Sequence, residues 1–320
     1  MAPSLTDLAI KGTITSLSTL RAFGQRIPGA GGLLAHSLEE AVHDRTTLIT
    51  GASSGIGKAT ALKIGEAGGT VLLVARSKEK LEETRREIKR RGGLAQVYPC
   101  DLTNVEEIDR MAGQVLERNS RVDILVNNAG KSIRRSVESS YDRFHDYQRT
   151  MQLNYFGPVK LMLDLLPAMR DQGSGHIINV STMGLQTNTP RFAAYLASKA
   201  ALDAFSRSIG SEIIGDGVHI TTVYMPLVRT PMIAPTKLYD RFPALSPENA
   251  AELICDAIRK RPKRVATALG NLGQLSYAVA PGAQDMVINQ AFKLFPETSG
   301  SERETAEQRA FVRATRGVHW

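Results

Sequence analysis

The sequence predicts an α/β fold: a doubly wound parallel sheet in a single domain, with helical extensions at both ends. Three observations carry this. Short runs rich in β-branched residues alternate with longer helical patterns from Thr46 to about Leu269. The runs are nearly continuously apolar rather than alternating, so both faces of the sheet are covered. A glycine-rich turn joins the first run to the first helix.

In order, the strand-like runs are TTLIT (46–50), TVLLVA (70–75), AQVYPC (95–100), ILVNNA (124–129), HIINVS (176–181), HITTVYM (219–225) and RVATAL (264–269). Helices are expected near 56–67, 77–91, 104–119, 142–170, 190–215 and 247–260. Ser246, Pro247 and Glu248 supply a cap, a first-turn proline and an acid at the start of the last of these. The charged run SKEKLEETRREIKRR mixes acids and bases at helical spacing, which fits a solvated helix face; no nucleic-acid partner is expected from it.

The chain has 320 residues, 42% of them hydrophobic, enough for one large core with extensions at 1–44 and 271–320 around a domain at 45–270. A net charge of +8 suits an anionic ligand or an acidic membrane surface without selecting either. Cys100 and Cys255 are the only cysteines, too few for a disulfide framework or a CxxC metal site, so a reducing cytoplasm and no metal are expected. No apolar run has the length of a membrane span, and no cleavable leader is visible at the N-terminus, so the chain is expected to be neither secreted nor integral.

The extensions are less determined. Ile10, Ile14 and Leu17 share a helical face with Lys11, Arg21 and Arg26 nearby, which fits a helix covering a domain edge or a peripheral membrane anchor. Near the other end, Val287, Ile288, Ala291, Phe292 and Phe295 share a face that could pack on the core, a sister subunit, a lipid substrate or a bilayer.

TGASSGIG (50–57) sits where a Rossmann-type dinucleotide site needs it, after a strand and opening a helix. Gly51 permits the tight turn, Gly55 admits a phosphate, and Gly57 lets helix and strand pack closely, with the pyrophosphate on the helix N-terminus. At the end of the second strand, where an NAD site places an acid, stand Ala75 and Arg76. Arg76 can pair with a 2′-phosphate, so NADPH is the expected cofactor; an ordinary surface arginine is the alternative.

Tyr195 and Lys199, in YLASK, lie four apart and project from one helical face. An ammonium beside a phenol favours the phenolate, which would let Tyr195 exchange a proton with a carbonyl or alcohol oxygen. Thr182, thirteen residues before Tyr195, offers a hydroxyl at the sheet's C-terminal edge. Neither cysteine is placed as an acyl nucleophile, so no covalent thioester is expected.

Together, TGASSGIG, CDL (100–102), NNAG (127–130), Asn154, NVST (179–182), YLASK (195–199) and VRTPM (228–232) resemble the short-chain dehydrogenase/reductase family in order and spacing over about residues 45–265. The resemblance implies Tyr195 as proton donor or acceptor, Lys199 as the residue that lowers its pKa and holds the ribose, and Asn154 as anchor of a water relay. It implies a cofactor site of Gly51, Ser53, Ser54, Gly55, Ile56, Gly57, Arg76, Asp101, Leu102, Asn128, Ala129, Gly130, Tyr195, Lys199, Val228 and Thr230. Within it, Asp101 contacts adenine, and Val228 and Thr230 lie against the nicotinamide and phosphates. Two departures stand out: Thr182 replaces the family's usual serine, with Ser181 as the alternative hydroxyl, and Met225-Pro226 replaces the usual Pro-Gly.

YMPLVRTPMIAPTK (224–237), QTNTPRFAAYLASKAALDAF (186–205) and the closing GVHW further resemble bacterial long-chain fatty acyl-CoA reductases of wax-ester synthesis. That resemblance implies reduction of an acyl-CoA thioester to an aldehyde with Tyr195 as general acid. A lipid ketone or alcohol oxidoreductase would need the same residues and a different pocket; an NADPH-binding regulatory protein is the remaining alternative. Family members usually pair through their two long helices, so a homo-oligomer is implied.

Overall fold

The computed structural model describes residues 37–294 except Pro235. The N-terminal face of Ile10, Ile14 and Leu17, and the closing stretch from Phe295 to Trp320, lie outside the described residues.

Seven parallel strands form one sheet in the order β3-β2-β1-β4-β5-β6-β7. They are β1 (Thr46–Thr50), β2 (Thr70–Ala75), β3 (Leu94–Pro99), β4 (Ile124–Asn127), β5 (Gly175–Thr182), β6 (Val218–Met225) and β7 (Arg264–Val265). The order reverses between β1 and β4, and ligands of such sheets bind outside the strands' C-terminal ends at that point.

Around the sheet lie α1 (Leu38–Val42), α2 (Gly55–Glu66), α3 (Lys78–Arg90), α4 (Val105–Asn119), α5 (Phe144–Met151), α6 (Gly157–Asp171), α7 (Gly184–Thr187), α8 (Ala193–Ile213), α9 (Pro247–Lys260), α10 (Ala268–Val279) and α11 (Pro281–Leu294). One face of the sheet packs Ile49, Leu73, Val126 and Ile178 with Ile64 of α2 and Ile254 of α9. The other packs Leu48, Leu72, Leu125 and Ile177 with Ile108, Leu161 and Leu202. Apolar side chains on both faces are why the strands read as continuous runs. Each fully buried Leu or Ile contributes roughly 1.5–3 kcal/mol.

Capping sets several helix starts. Ser77, Asn104 and Ser246 accept from the backbone N–H groups of Lys80, Glu107 and Asn249, and Pro247 opens α9 as expected. The charged run becomes α3, which buries Leu81 and Ile88 and pairs its charges, Lys58 with Glu87 at 2.8 Å and Arg85 with Glu82 at 2.7 Å.

Two expectations need correction. RVATAL keeps only Arg264 and Val265 in the sheet, because Thr267 accepts from Gly270 N–H and turns the next residues into α10. The helix expected over 142–170 is interrupted by a π turn, Gln152–Phe156, between α5 and α6, and Asn154 sits in that turn. π turns inside helices recur at functional sites.

His176, buried at the start of β5, has its Nε2 2.9 Å from Thr221 Oγ1. Burial, with the charges of Arg261 and His219, pushes its pKa from 6.5 down to about 3. The unfolded imidazole takes a proton below about 6.5 and the folded one does not until about 3, so stability is complete above about pH 6.5 and is lost toward about pH 3. Urea unfolding at about pH 7.5 and about pH 5.5 is expected to show His176→Asn losing about 1.4 kcal/mol less than the parent across that interval. An equal loss in both would remove His176 from the acid sensitivity.

Candidate active site

The C-terminal ends of the strands open into one cleft of about 1090 Å³. At its centre, β5 ends at Thr182 and α8 brings up Tyr195 and Lys199, all three in the cleft lining. The Thr182 hydroxyl is close enough to the Tyr195 phenol to favour its ionised form, and Thr182 Oγ1 accepts from Gly184 N–H at 3.1 Å. Ser181 also lines the cleft, and its buried Oγ has no hydrogen-bond partner among the described residues.

Tyr195 and Lys199 make no hydrogen bond to each other. Burial pushes the Tyr195 phenol up to about 12, against the opposing Thr182 hydrogen bond and with a smaller upward push from Tyr239. Lys199 donates from Nζ to Val180 O at 2.8 Å, and burial brings its pKa down to about 8. The ammonium is turned toward the end of β5 and the Gly130 backbone, where a Cβ on that glycine would stand 3.6 Å from Nζ. At neutral pH the Tyr195 phenol is therefore protonated.

Asn154 is fully buried and its carboxamide is spent on structure. Oδ1 accepts from Lys131 N–H at 2.9 Å, and Nδ2 donates to Lys131 O at 2.9 Å and to Ser198 Oγ at 3.0 Å. It ties the loop after β4 to the helix carrying Tyr195. Ser198, which the sequence reading passed over, also donates to Tyr195 O at 2.6 Å.

The glycine turn lies at one end of the cleft. Gly51 and Gly55 have φ of +69° and +54°, and a Cβ on Gly57 would meet Gly51 O at 2.4 Å, so this turn closes only with glycines. Ser54 stands at the start of α2 without capping it, and no acid lies in that first turn. The free N–H groups and helix dipole therefore face the cleft uncompensated. Thr230 reaches back to this turn, its Cγ2 3.2 Å from where a Gly55 Cβ would be, and Val228 is held by a bridge to Leu245.

Ser53, Ile56, Arg76, Asp101, Leu102, Asn128, Ala129 and Gly130 line the same end. Asn128 Nδ2 donates to Thr50 O at 2.9 Å, and Thr50 Oγ1 accepts from the N–H groups of Asn128 and Ala129 at 3.0 Å each. Asp101 accepts from Thr103 through N–H and Oγ1 at 2.9 and 2.8 Å. Arg76 is exposed, with no carboxylate partner among the described residues. Of the expected cofactor residues all but Gly57 line the cleft, and Gly57 acts from behind by letting α2 close on the turn.

A model of the family described as short chain dehydrogenase matches residues 45–239. The chain belongs to that family. It is similar to a fatty acyl-CoA reductase of Acinetobacter baylyi, at 52% identity over 285 residues covering 88% of this chain and 97% of that one. It is similar to a fatty acyl-CoA reductase of Mycobacterium tuberculosis at 50% identity over 220 residues, 68% of this chain and 75% of that one. Among solved structures, a metagenomic short-chain oxidoreductase in complex with NADP matches at a TM-score of 0.61 and 31% identity over 71% of this chain and 98% of that one. An actinorhodin polyketide ketoreductase with NADPH matches at 0.65 and 28%, over 72% and 97%.

In this short-chain dehydrogenase the other end of the cleft is apolar. Leu196, Met232, Leu238, Phe242, Leu269 and Phe292 line it, and Arg134 and Arg191 also line the cleft. Phe292 lies on the face for which a lipid substrate was one of the expected partners; the others were not assigned to the site by the sequence reading. Both cysteines are buried, and burial pushes each thiol up to about 12, so neither is a ready thiolate nucleophile. Among the described residues no helix is long and apolar enough to cross a membrane.

Proposed function

We propose that this short-chain dehydrogenase reduces a long-chain fatty acyl-CoA to the fatty aldehyde with NADPH, releasing CoA. The supporting observation is the single cleft, which runs from an anion-receptive glycine turn past Tyr195 and Thr182 into an apolar compartment. The relatives that bear the name fatty acyl-CoA reductase add support.

The residues present fit a 2′-phosphorylated dinucleotide: a glycine cradle that any Cβ would fill, an unclaimed helix N-terminus, and Arg76 without an acid at the end of β2. Gly51, Gly55 and Gly57 would shape the cradle, Asp101 and Leu102 would flank the adenine, and Val228, Thr230 and Lys199 would hold the nicotinamide and its ribose. When bound, NADPH supplies the hydride that reduces the thioester carbon. Tyr195 donates its proton to the developing oxyanion while Thr182 hydrogen-bonds the same oxygen. The resulting hemithioacetal loses CoA as the thiol and leaves the aldehyde, and Tyr195 is reprotonated from solvent. Arg134, half-buried in the cleft lining with no carboxylate partner among the described residues, suits the phosphates of CoA.

Arg76→Ala is expected to raise the Kd for NADPH about 10- to 100-fold and leave that for NADH nearly unchanged, because the variant loses a charge-assisted contact only the 2′-phosphate makes. Equal weakening of both by fluorescence titration would remove that role. The activity itself is tested with palmitoyl-CoA and NADPH, following NADPH loss, free thiol and aldehyde together. Thiol and aldehyde rising in step with NADPH loss is expected. Reduction of a 3-oxoacyl or steroid ketone with no thiol release would leave the site standing and replace the substrate. We propose also that the chain acts as a homo-oligomer, which light scattering of the purified protein reads directly; contact with the inner face of a membrane is a further part of the proposal, read by vesicle sedimentation.

A further inference from the structure

The helix α11 contributes no buried residue to the fold, yet Ile288, Ala291 and Phe292 line the apolar end of the cleft. These three share one helical face, while Val287, expected on that face, is exposed along with Met286. A helix that gives one narrow stripe to a cleft and nothing to the core takes its position from its ends.

Its first end is fixed through α10. Gly270 and Gly273 let α10 lie directly on α7, where a Cβ at either would meet Gln186. Ala280 then turns the chain, Pro281 opens α11, and Ser276 Oγ donates to Gln284 Oε1 at 2.7 Å across the turn. Near its far end it is held by Arg191. Arg191 donates from Nη2 to Phe292 O at 3.0 Å, and its guanidinium lies 3.9 Å from the centroid of the Phe292 ring.

Arg191 is four residues before Tyr195 and is itself built in. It holds a φ of +69°, a conformation costly for a non-glycine residue, and its carbonyl accepts from Arg135 N–H at 2.7 Å. The Arg135 guanidinium in turn binds the buried carboxylate of Asp146 at 3.2 Å, which Arg149 and Arg143 also hold. The latch on α11 is therefore anchored to the frame that carries the reacting groups.

We infer that α11 is the wall that gauges the hydrocarbon tail of the substrate, with Arg191 as the positioning residue that presses Phe292 against it, so that long unbranched acyl chains are selected over short ones. The inference rests on the acyl-CoA reading. A long tail reaches the Phe292 face and leaves water there, whereas a short one stops before it; each additional methylene buried in such a compartment is worth severalfold in affinity.

The test compares palmitoyl-CoA with hexanoyl-CoA in the parent, Phe292→Ala, Arg191→Gln and Arg191→Lys, alongside binding of the fluorescent fatty acid cis-parinaric acid and of NADPH. The ratio of kcat/KM for the long chain to that for the short one is expected to fall about tenfold in Phe292→Ala and Arg191→Gln, through the KM for palmitoyl-CoA. Parinaric acid binding should weaken in parallel, and Arg191→Lys should recover part of the ratio because it keeps the cation over the ring. An unchanged ratio with unchanged parinaric acid binding overturns the inference while palmitoyl-CoA turnover keeps the acyl-CoA reading. Equal losses for both chain lengths together with weakened NADPH binding also overturn it, since they mark general damage. If the parent turns over neither thioester but the variants still weaken parinaric acid binding, the wall stands and the acyl-CoA reading fails.

Discussion

Tyr195→Phe is expected to lower kcat for reduction about 10³-fold while the protein keeps its fold and its affinity for NADPH within a few-fold. Phenylalanine fills the same space, so only the phenolic hydroxyl is lost. That hydroxyl lies in the cleft close to Thr182, and burial keeps it protonated, with a pKa pushed up to about 12. Through the neutral range the reduction rate of the parent should therefore show no fall from titration of Tyr195. Thr182→Val, which removes a hydrogen bond rather than the proton, should cost less, about 10- to 100-fold. Single-turnover NADPH oxidation measures both. A Phe variant within tenfold of the parent would assign proton donation elsewhere.

The second large effect belongs to Gly57→Ala, expected to weaken NADPH binding at least about 100-fold. The added methyl carbon would stand 2.4 Å from Gly51 O and 2.5 Å from Asn128 Nδ2. Neither neighbour can yield cheaply: Gly51 is the left-handed corner of the turn, and Asn128 is hydrogen-bonded to Thr50 O. Relief comes from lifting α2 off the turn, which carries its N-terminus away from the phosphate position. Gly113→Ala, on α4 with open space around its Cβ, is the matched control and should bind NADPH normally. Titration by NADPH fluorescence distinguishes them, and a Gly57→Ala variant that binds as tightly as the control would show that the close approach is not needed.

The strands were legible because their burial is two-sided. β1 and β2 coincide with TTLIT and TVLLVA, since every internal position in them is apolar or a buried threonine. RVATAL misled because Val265, Ala266 and Ala268 are apolar for two different reasons: Val265 pairs with β6, whereas Ala268 begins a helix. The site was legible where chemistry restricts the residue, as at the glycines, Tyr195, Lys199 and Thr182. It was illegible where a residue acts by holding another. Ser198 joins Asn154, itself named from the sequence, across 44 residues, and Arg191 meets Phe292 across 101. The Lys199 hydrogen bond to Val180 O was also hidden, because spacing on a helix gives a shared face but not the acceptor that an ammonium finds.

The most direct measurement uses NADPH carrying deuterium at the transferring position of its nicotinamide, with palmitoyl-CoA as substrate and mass spectrometry of the products. The expected result is an aldehyde with a single deuterium at its carbonyl carbon and an equal amount of free CoA, both absent in Tyr195→Phe. Intact acyl-CoA with no label transferred, while a ketone substrate takes up the deuterium, would contradict thioester reduction as the reaction of this cleft.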